Sequence, residues 1–141
     1  MTKGTDIIGK SQKFENTKAL IKKCNLIDDE FFRVVANDTA FCEELLRTVL
    51  GRTDIVVKSC NTQLGLNNLD SKSVVLDLVC SDETGSIFNV EIQKSNNDDM
   101  QKRMRYYAAN IDIRNLKQGQ AYAELPDVYS IMISDFDIWT N

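Results

Sequence analysis

Two short apolar runs with a period of two, at residues 73–80 and 87–94, form the clearest hydrophobic pattern along the chain. Both runs are rich in β-branched residues, and the segment 82–86 between them consists of turn formers. This pattern predicts an antiparallel hairpin. Its alternation places one set of apolar residues on a common, core-facing side: Leu76, Leu78, Cys80, Phe88, Val90 and Ile92.

Helical periodicity on both sides of the hairpin predicts three helices. Asp28 stands as the N-cap of a short helix that ends at Val35. A second helix begins at Asp38 or Thr39, and Gly51 supplies its stop. After the hairpin, the polar stretch 95–98 opens a long helix with a buried stripe of Met100, Met104, Tyr107 and Ile111.

The remaining extended segments complete a sheet. Residues 55–63 predict a strand before the hairpin, and residues 128–134 predict a final strand with alternating apolar positions. The order α-α-β-β-β-α-β indicates an α/β fold with a mixed sheet flanked by helices. Residues 1–25 are polar and rich in lysine, so we expect a mobile or loosely helical arm before a domain over residues 26–141.

Composition excludes several kinds of chemistry. The chain has 141 residues, enough for one domain with a genuine core, and it contains no histidine. His-based acid–base catalysis, Ser-His-Asp or Cys-His nucleophiles and His-ligated zinc are therefore excluded. Any catalysis must rest on carboxylates, lysine, tyrosine or a hard metal ion such as magnesium. The net charge of −4 argues against a general affinity for nucleic acid, so such a partner needs a local basic patch.

The cysteines and the length of the apolar runs indicate where in the cell the protein is located. Cys24, Cys42, Cys60 and Cys80 form no Cys-x-x-Cys unit, and we interpret them as reduced, buried residues of a cytosolic protein. The N-terminal residues lack the apolar stretch of a signal peptide, and no run approaches membrane-spanning length. We therefore expect a soluble cytoplasmic domain with no membrane partner.

Asp77 and Glu91 are the candidate functional pair of the hairpin. If the turn centres on Thr84, these carboxylates lie directly opposite each other, with Cβ atoms roughly 5 Å apart. Like charges at that separation repel, and a divalent cation between them turns the repulsion into attraction. The alternative is a half-exposed hairpin whose solvent-facing side, with Asp77, Asn89, Glu91 and Gln93, carries ordinary polar residues. Spacing alone leaves both interpretations open.

A wider set of residues resembles a known family. The sequence Asn-Val-Glu-Ile-Gln-Lys at 89–94 follows Asp77 at the right spacing and precedes the basic segment 103–107. This combination is similar to the PD-(D/E)XK nuclease family transposases, relatives of the recombination-promoting nucleases. The similarity covers residue 26 to the end, with further matches at 26–32, Gln63, Asn68, 73–77, 116–119 and 125–129. It implies a restriction-endonuclease-like core.

The resemblance also implies roles for individual residues. Asp77 and Glu91 match the two metal-binding acidic positions, with the backbone carbonyl of Ile92 as a further ligand and Mg²⁺ or Mn²⁺ as the cofactor. Gln93 stands where many members of the superfamily carry lysine, and glutamine can only hydrogen-bond and polarise. Lys102 or Arg105 is expected either to supply the missing cation or to form a solvated basic face. Glu44 resembles an accessory acidic residue.

The resulting expectation is a metal-dependent DNA endonuclease that hydrolyses phosphodiester bonds. Gln93 positions the attacking water or a phosphate oxygen, and Lys102, Arg103 and Arg105 steer the DNA backbone. The rival expectation is an inactive domain of the same fold that binds nucleic acid or protein, which the glutamine and the acidic pI near 4.8 favour. Family chains continue beyond the final strand, so we expect a C-terminally truncated copy. A homodimer would suit the cleavage of two strands.

Overall fold

Four strands form one mixed sheet in the computed structural model, which describes residues 28–97 and 99–139. The strands are β1 (Val57–Leu66), β2 (Val74–Asp82), β3 (Ile87–Gln93) and β4 (Val128–Ser134), and they lie in this order across the sheet. β1, β2 and β3 are antiparallel neighbours, whereas β4 runs parallel to β3. The predicted α/β fold with a mixed sheet is confirmed.

Three α-helices accompany the sheet in the described part of the chain, in the predicted order: α1 (Asp29–Val35), α2 (Thr39–Leu50) and α3 (Met100–Asn115). The Asp28 carboxylate accepts hydrogen bonds from the first backbone N–H groups of α1, and Asp38 does the same for α2. Gly51 ends α2 in the left-handed conformation with a φ of 62°. None of these helices is long and apolar enough to cross a membrane.

The first strand differs from its prediction. It begins at Val57 rather than at residue 55 and extends to Leu66, because Leu64 and Leu66 still pair with Leu76 and Val74 of β2. The cysteines that the structure describes are free, with Cys42 and Cys80 buried and Cys60 half-buried. Cys24 and the arm predicted over residues 1–25 lie outside the described residues.

Two apolar clusters cover the two faces of the sheet. The first cluster joins α1 and α2 to the sheet through Phe32, Ala36, Phe41, Cys42, Leu45, Leu46, Ile55, Val57, Leu78, Cys80, Phe88, Val90, Ile92 and Ile131. The second cluster joins Ile111 of α3 to Leu66, Val74 and Leu76. Leu76 belongs to the second cluster, and it shares the buried alternate positions of β2 with Leu78 and Cys80, as the sequence predicted.

Burial of β3 on both faces overturns one of the two interpretations of the hairpin. All residues from Phe88 to Ile92 are buried, and Asn89 and Glu91 are 0% and 1% exposed. The predicted solvent-facing side of a half-exposed hairpin is therefore wrong. The crossover from β3 through α3 to the parallel strand β4 brings the helix onto the face that carries Glu91, and that face loses its contact with water.

A hydrogen-bond network fastens the β1–β2 loop to α3. The buried Asn110 side chain accepts from Asn68 Nδ2 at 2.7 Å, and Arg114 donates to Asn67 O at 2.7 Å and to Asn68 Oδ1 at 3.1 Å. Tyr106 Oη donates to Lys72 O at 2.7 Å, farther along the same loop. These bonds hold residues 67 and 68 beside the C-terminal half of α3 and Lys72 beside its middle, and a groove forms between Lys72 and the N-terminal half of the helix.

Asn110→Ala should lower the free energy of unfolding by roughly 1–3 kcal/mol, because the substitution removes a buried side chain whose Oδ1 accepts hydrogen bonds from both Asn68 and Arg114. Equilibrium urea unfolding followed by circular dichroism measures this change. Asn115→Ala is the matched control, because its exposed side chain bonds only to Ile111 O within the helix. Equal effects of the two substitutions would contradict the role of the network.

Candidate metal centre

The register of the hairpin brings Asp77 opposite Glu91. Ser81 pairs with Ile87 and Leu78 pairs with Val90, so the turn centres on Thr84 as the sequence predicted. Asp82 fixes this turn, since its Oδ1 accepts hydrogen bonds from the backbone N–H groups of Thr84 and Ser86. Asp77 and Glu91 are the next facing residues after the last backbone pair, at the point where the two strands part.

Side chains replace the backbone ladder at this point. Asp77 N–H donates to Glu91 Oε1 at 3.1 Å, and Ile92 N–H donates to Asp77 Oδ2 at 3.0 Å. Each carboxylate therefore crosses to the opposite strand and takes a backbone N–H that a regular ladder would have paired. These two bonds hold the acidic side chains close together, where the strands themselves no longer pair.

The electrostatic state of Glu91 follows from its burial. The pKa of Glu91 is raised to about 8, mainly by removal from water and next by the nearby charge of Asp77, while the hydrogen bond from Asp77 N–H and the charge of Arg103 partly offset these effects. In the metal-free protein, the buried carboxyl therefore holds a proton near neutral pH. A cation at this point would favour the ionised form instead, because it supplies the opposite charge that the pair lacks.

Asp77 opens into a small pocket of about 110 Å³, lined also by Phe32 and Arg33 of α1, Gln63 of β1, Ile92 and Arg103. Gln63 adopts a φ of 53°, which is uncommon for a residue with a side chain, and its Nε2 lies 3.4 Å from Asp77 Oδ1. Glu91 is buried and does not line this pocket, although its carboxylate accepts a hydrogen bond from Asp77 N–H.

Gln93 is linked to the pocket through Arg103. Its Nε2 donates to Ser95 O at 2.6 Å, and its Oε1 accepts from Arg103 Nη2 at 3.2 Å. Both polar atoms of the amide are thus bonded within the protein. The Arg103 guanidinium also lies over the Tyr107 ring, 5.7 Å from its centroid.

The other predicted basic residues line a second, larger groove. Lys102 and Arg105 are exposed in this groove, which holds about 560 Å³ between α3 and the end of the β1–β2 loop. Lys72 and Tyr106 also line it, and Arg103 borders both cavities. Among the three predicted basic residues, Arg103 is the one that reaches the pocket of Asp77.

The structure does not bring Glu44 to this centre. Glu44 lines a separate groove around the C-terminal end of α2, together with Arg47, Thr48 and Arg52. Its neighbour Glu43 accepts a hydrogen bond from Val57 N–H at 2.9 Å and pairs with Arg47 at 2.9 Å. Both acidic residues of α2 therefore lie apart from the pocket of Asp77.

Sequence reasoning missed two polar residues of the pocket, Arg33 and Gln63. Gln63 belonged to the matched positions, but its site on a strand gave no sign of the left-handed backbone that turns it toward Asp77. Arg33 gave no local signal, because its place in the pocket depends on how α1 packs against the sheet. Both become visible only from the tertiary arrangement.

The donor atoms suit a hard cation. The described part of the chain contains no group of three or more Asp, Glu, Cys or His residues that could hold a metal ion. The side chains that carry oxygen atoms at this point are those of Asp77, Glu91 and Gln63. Mg²⁺ is typically held by one or two carboxylates and completes its shell with water and phosphate. This set fits Mg²⁺ or Mn²⁺.

A family model described as PD-(D/E)XK nuclease family transposase matches residues 14–141. The match covers the three strands and the helix that build the centre, and the resemblance drawn from the sequence is confirmed. Neither a curated protein nor a solved structure gives a match to the chain.

The buried Glu91 predicts a pH dependence of stability in the metal-free protein. Its pKa is about 8 in the folded state against an ordinary value of 4.5, so folding favours the protonated form. This contribution to stability is complete below pH 4.5 and is lost as the pH rises to about 8, on the order of a few kcal/mol. Urea unfolding in EDTA at a series of pH values measures it. Glu91→Gln should flatten this part of the profile, and parallel profiles of the two proteins would contradict the assignment.

Proposed function

Because the chain belongs to the PD-(D/E)XK nuclease family transposases, for which a nuclease-type activity is general, we propose that it is a DNA endonuclease that depends on Mg²⁺ or Mn²⁺. The observation that carries this proposal is the crossed pair of carboxylates at the point where β2 and β3 part. A buried glutamate beside a second carboxylate lowers stability at neutral pH, and a bound cation would remove that disadvantage.

Asp77 and Glu91 would hold the cation, together with the carbonyl oxygen of Ile92. The cation would lower the pKa of a bound water and offset the charge that builds on the scissile phosphate. Asp77 is oriented for this role by the Ile92 N–H, which leaves its second oxygen toward the pocket. Glu91 must lose its proton to take part, so we expect cleavage to increase as the pH approaches 8.

The groove beside α3 would bind the DNA backbone. Four basic side chains line it, Lys72, Lys102, Arg103 and Arg105, against the single acidic residue Asp99. This local excess of positive charge offers phosphate contacts in a chain whose net charge is −4. Such contacts are independent of sequence and weaken as salt increases. Tyr106 stands in the same groove, where its ring can contact a sugar or base.

One observation favours a second candidate function, an inactive nucleic-acid-binding domain of the same fold. Glu91 is 1% exposed and does not line the pocket. Both polar atoms of the Gln93 amide already form hydrogen bonds within the protein. Such a domain would keep the basic groove and bind DNA without any need for a cation.

Nicking of supercoiled plasmid separates these functions. We expect the chain to nick DNA with Mn²⁺ or Mg²⁺, and nicking should stop in EDTA. Asp77→Asn should reduce the rate of nicking roughly a hundredfold or more, because a carboxylate ligand of the cation is lost.

Asp127→Asn is the matched control, since this exposed aspartate lines a different groove near the turn at Thr84. It should nick at the wild-type rate. DNA binding without nicking at enzyme excess and low salt would support the inactive domain instead.

A further inference from the structure

We propose that Arg103 is a catalytic residue of this centre, and that Gln93 is the positioning residue that aims its guanidinium at the reacting phosphate. This inference rests on the proposed nuclease function and adds to it a named source of positive charge. The glutamine then has a role in an active enzyme, since it orients the cationic side chain that α3 provides.

The first support is the way the Arg103 guanidinium is bonded within the described part of the chain. The side chain is half-buried, and its Nε is fully buried without a hydrogen-bond partner among the described residues. Its recorded hydrogen bond is to the neutral amide of Gln93, and no ion pair joins it to a carboxylate in the described part of the chain. A partly buried guanidinium without a carboxylate partner lowers stability, and a phosphate in the pocket that Arg103 lines could supply the opposing charge.

The second support is the way Gln93 is held. Because its Nε2 is bonded to Ser95 O, the amide is fixed and its Oε1 is presented to Arg103 Nη2. A neutral acceptor orients a guanidinium without neutralising it, whereas a carboxylate at the same position would compete with the phosphate for its charge. The Tyr107 ring beneath the guanidinium limits its movement further.

The third support is the position of Arg103 between the two cavities. It lines both the pocket of Asp77 and the basic groove that holds Lys102 and Arg105. A DNA strand whose phosphates follow the groove would therefore reach Arg103 as it enters the pocket. Lys102 and Arg105 line only the groove, which suits them to hold the strand but not to act on the bond that breaks.

Hydrolysis of a phosphodiester bond is favoured by a fixed positive charge beside the phosphate oxygens. Attack of water on phosphorus forms one P–O bond and breaks the ester P–O bond, while negative charge grows on the phosphate oxygens. Arg103 would donate hydrogen bonds to a non-bridging oxygen during this change. Since a guanidinium does not lose its proton in proteins, the proton of the attacking water passes to solvent and the leaving oxygen takes its proton from solvent.

Single-turnover cleavage at saturating enzyme with Mn²⁺ tests the inference, with Mn²⁺ affinity measured separately. Arg103→Ala should slow cleavage about a hundredfold or more with Mn²⁺ affinity kept, as for other lost electrostatic donors. Guanidinium ion at millimolar concentration should partly restore Arg103→Ala and should not restore Asp77→Asn. Gln93→Glu, which keeps Arg103 but pairs its charge, should also slow cleavage, and this variant serves if Arg103→Ala fails to fold.

Lys102→Ala tests the groove, and we expect weaker DNA binding with a much smaller loss of rate at saturation than in Arg103→Ala. Lys117→Ala is the control for the loss of a cation, because this exposed residue lines neither the groove nor the pocket of Asp77, and it should cleave at the wild-type rate. Cleavage by Arg103→Ala within about threefold of the wild-type rate, or a larger loss of rate in Arg33→Ala than in Arg103→Ala, overturns the inference alone. A wild-type chain that shows no metal-dependent cleavage overturns the inference together with the proposed function.

Discussion

β2 and β3 separate at Asp77, and the geometry of the whole centre follows from this separation. Beyond the Leu78–Val90 pair the backbone ladder stops, and the carboxylates of Asp77 and Glu91 take up the N–H groups left there. The hydrogen bonds that close the gap also force two acidic groups together. Because Glu91 is removed from water, the protein carries a buried charge conflict that either a proton or a cation must resolve.

The crossover from β3 to β4 places α3 over the carboxylates of Asp77 and Glu91. Packing of α3 on the second face of the sheet excludes water from Glu91 and places Arg103 beside it. The same helix, fastened to residues 67–73 by Asn110 and Arg114, forms the wall of the basic groove. One packing interface thus buries Glu91, raises its pKa, and brings Arg103 and the basic groove next to the centre.

Local signals in the sequence predicted much of this fold. Alternation and turn chemistry determined the register around Thr84, and Asp28, Asp38 and Gly51 marked the helix ends, because caps and hairpins depend on neighbouring residues. The misses share a tertiary cause. The burial of Asn89 depends on how α3 packs against the sheet, which the periodicity of the helix does not specify. The position of Arg103 at the pocket of Asp77, where Lys102 or Arg105 was expected to supply a cation, depends on the same packing.

We expect a divalent cation to relieve the repulsion between Asp77 and Glu91. Isothermal titration of the chain with Mn²⁺ near pH 7, repeated in buffers of different ionisation enthalpy, measures this effect. One site should bind Mn²⁺ with the release of close to one proton, from Glu91, and its affinity should be lost in Asp77→Asn. Absence of binding, or binding that releases no proton and survives Asp77→Asn, would contradict it.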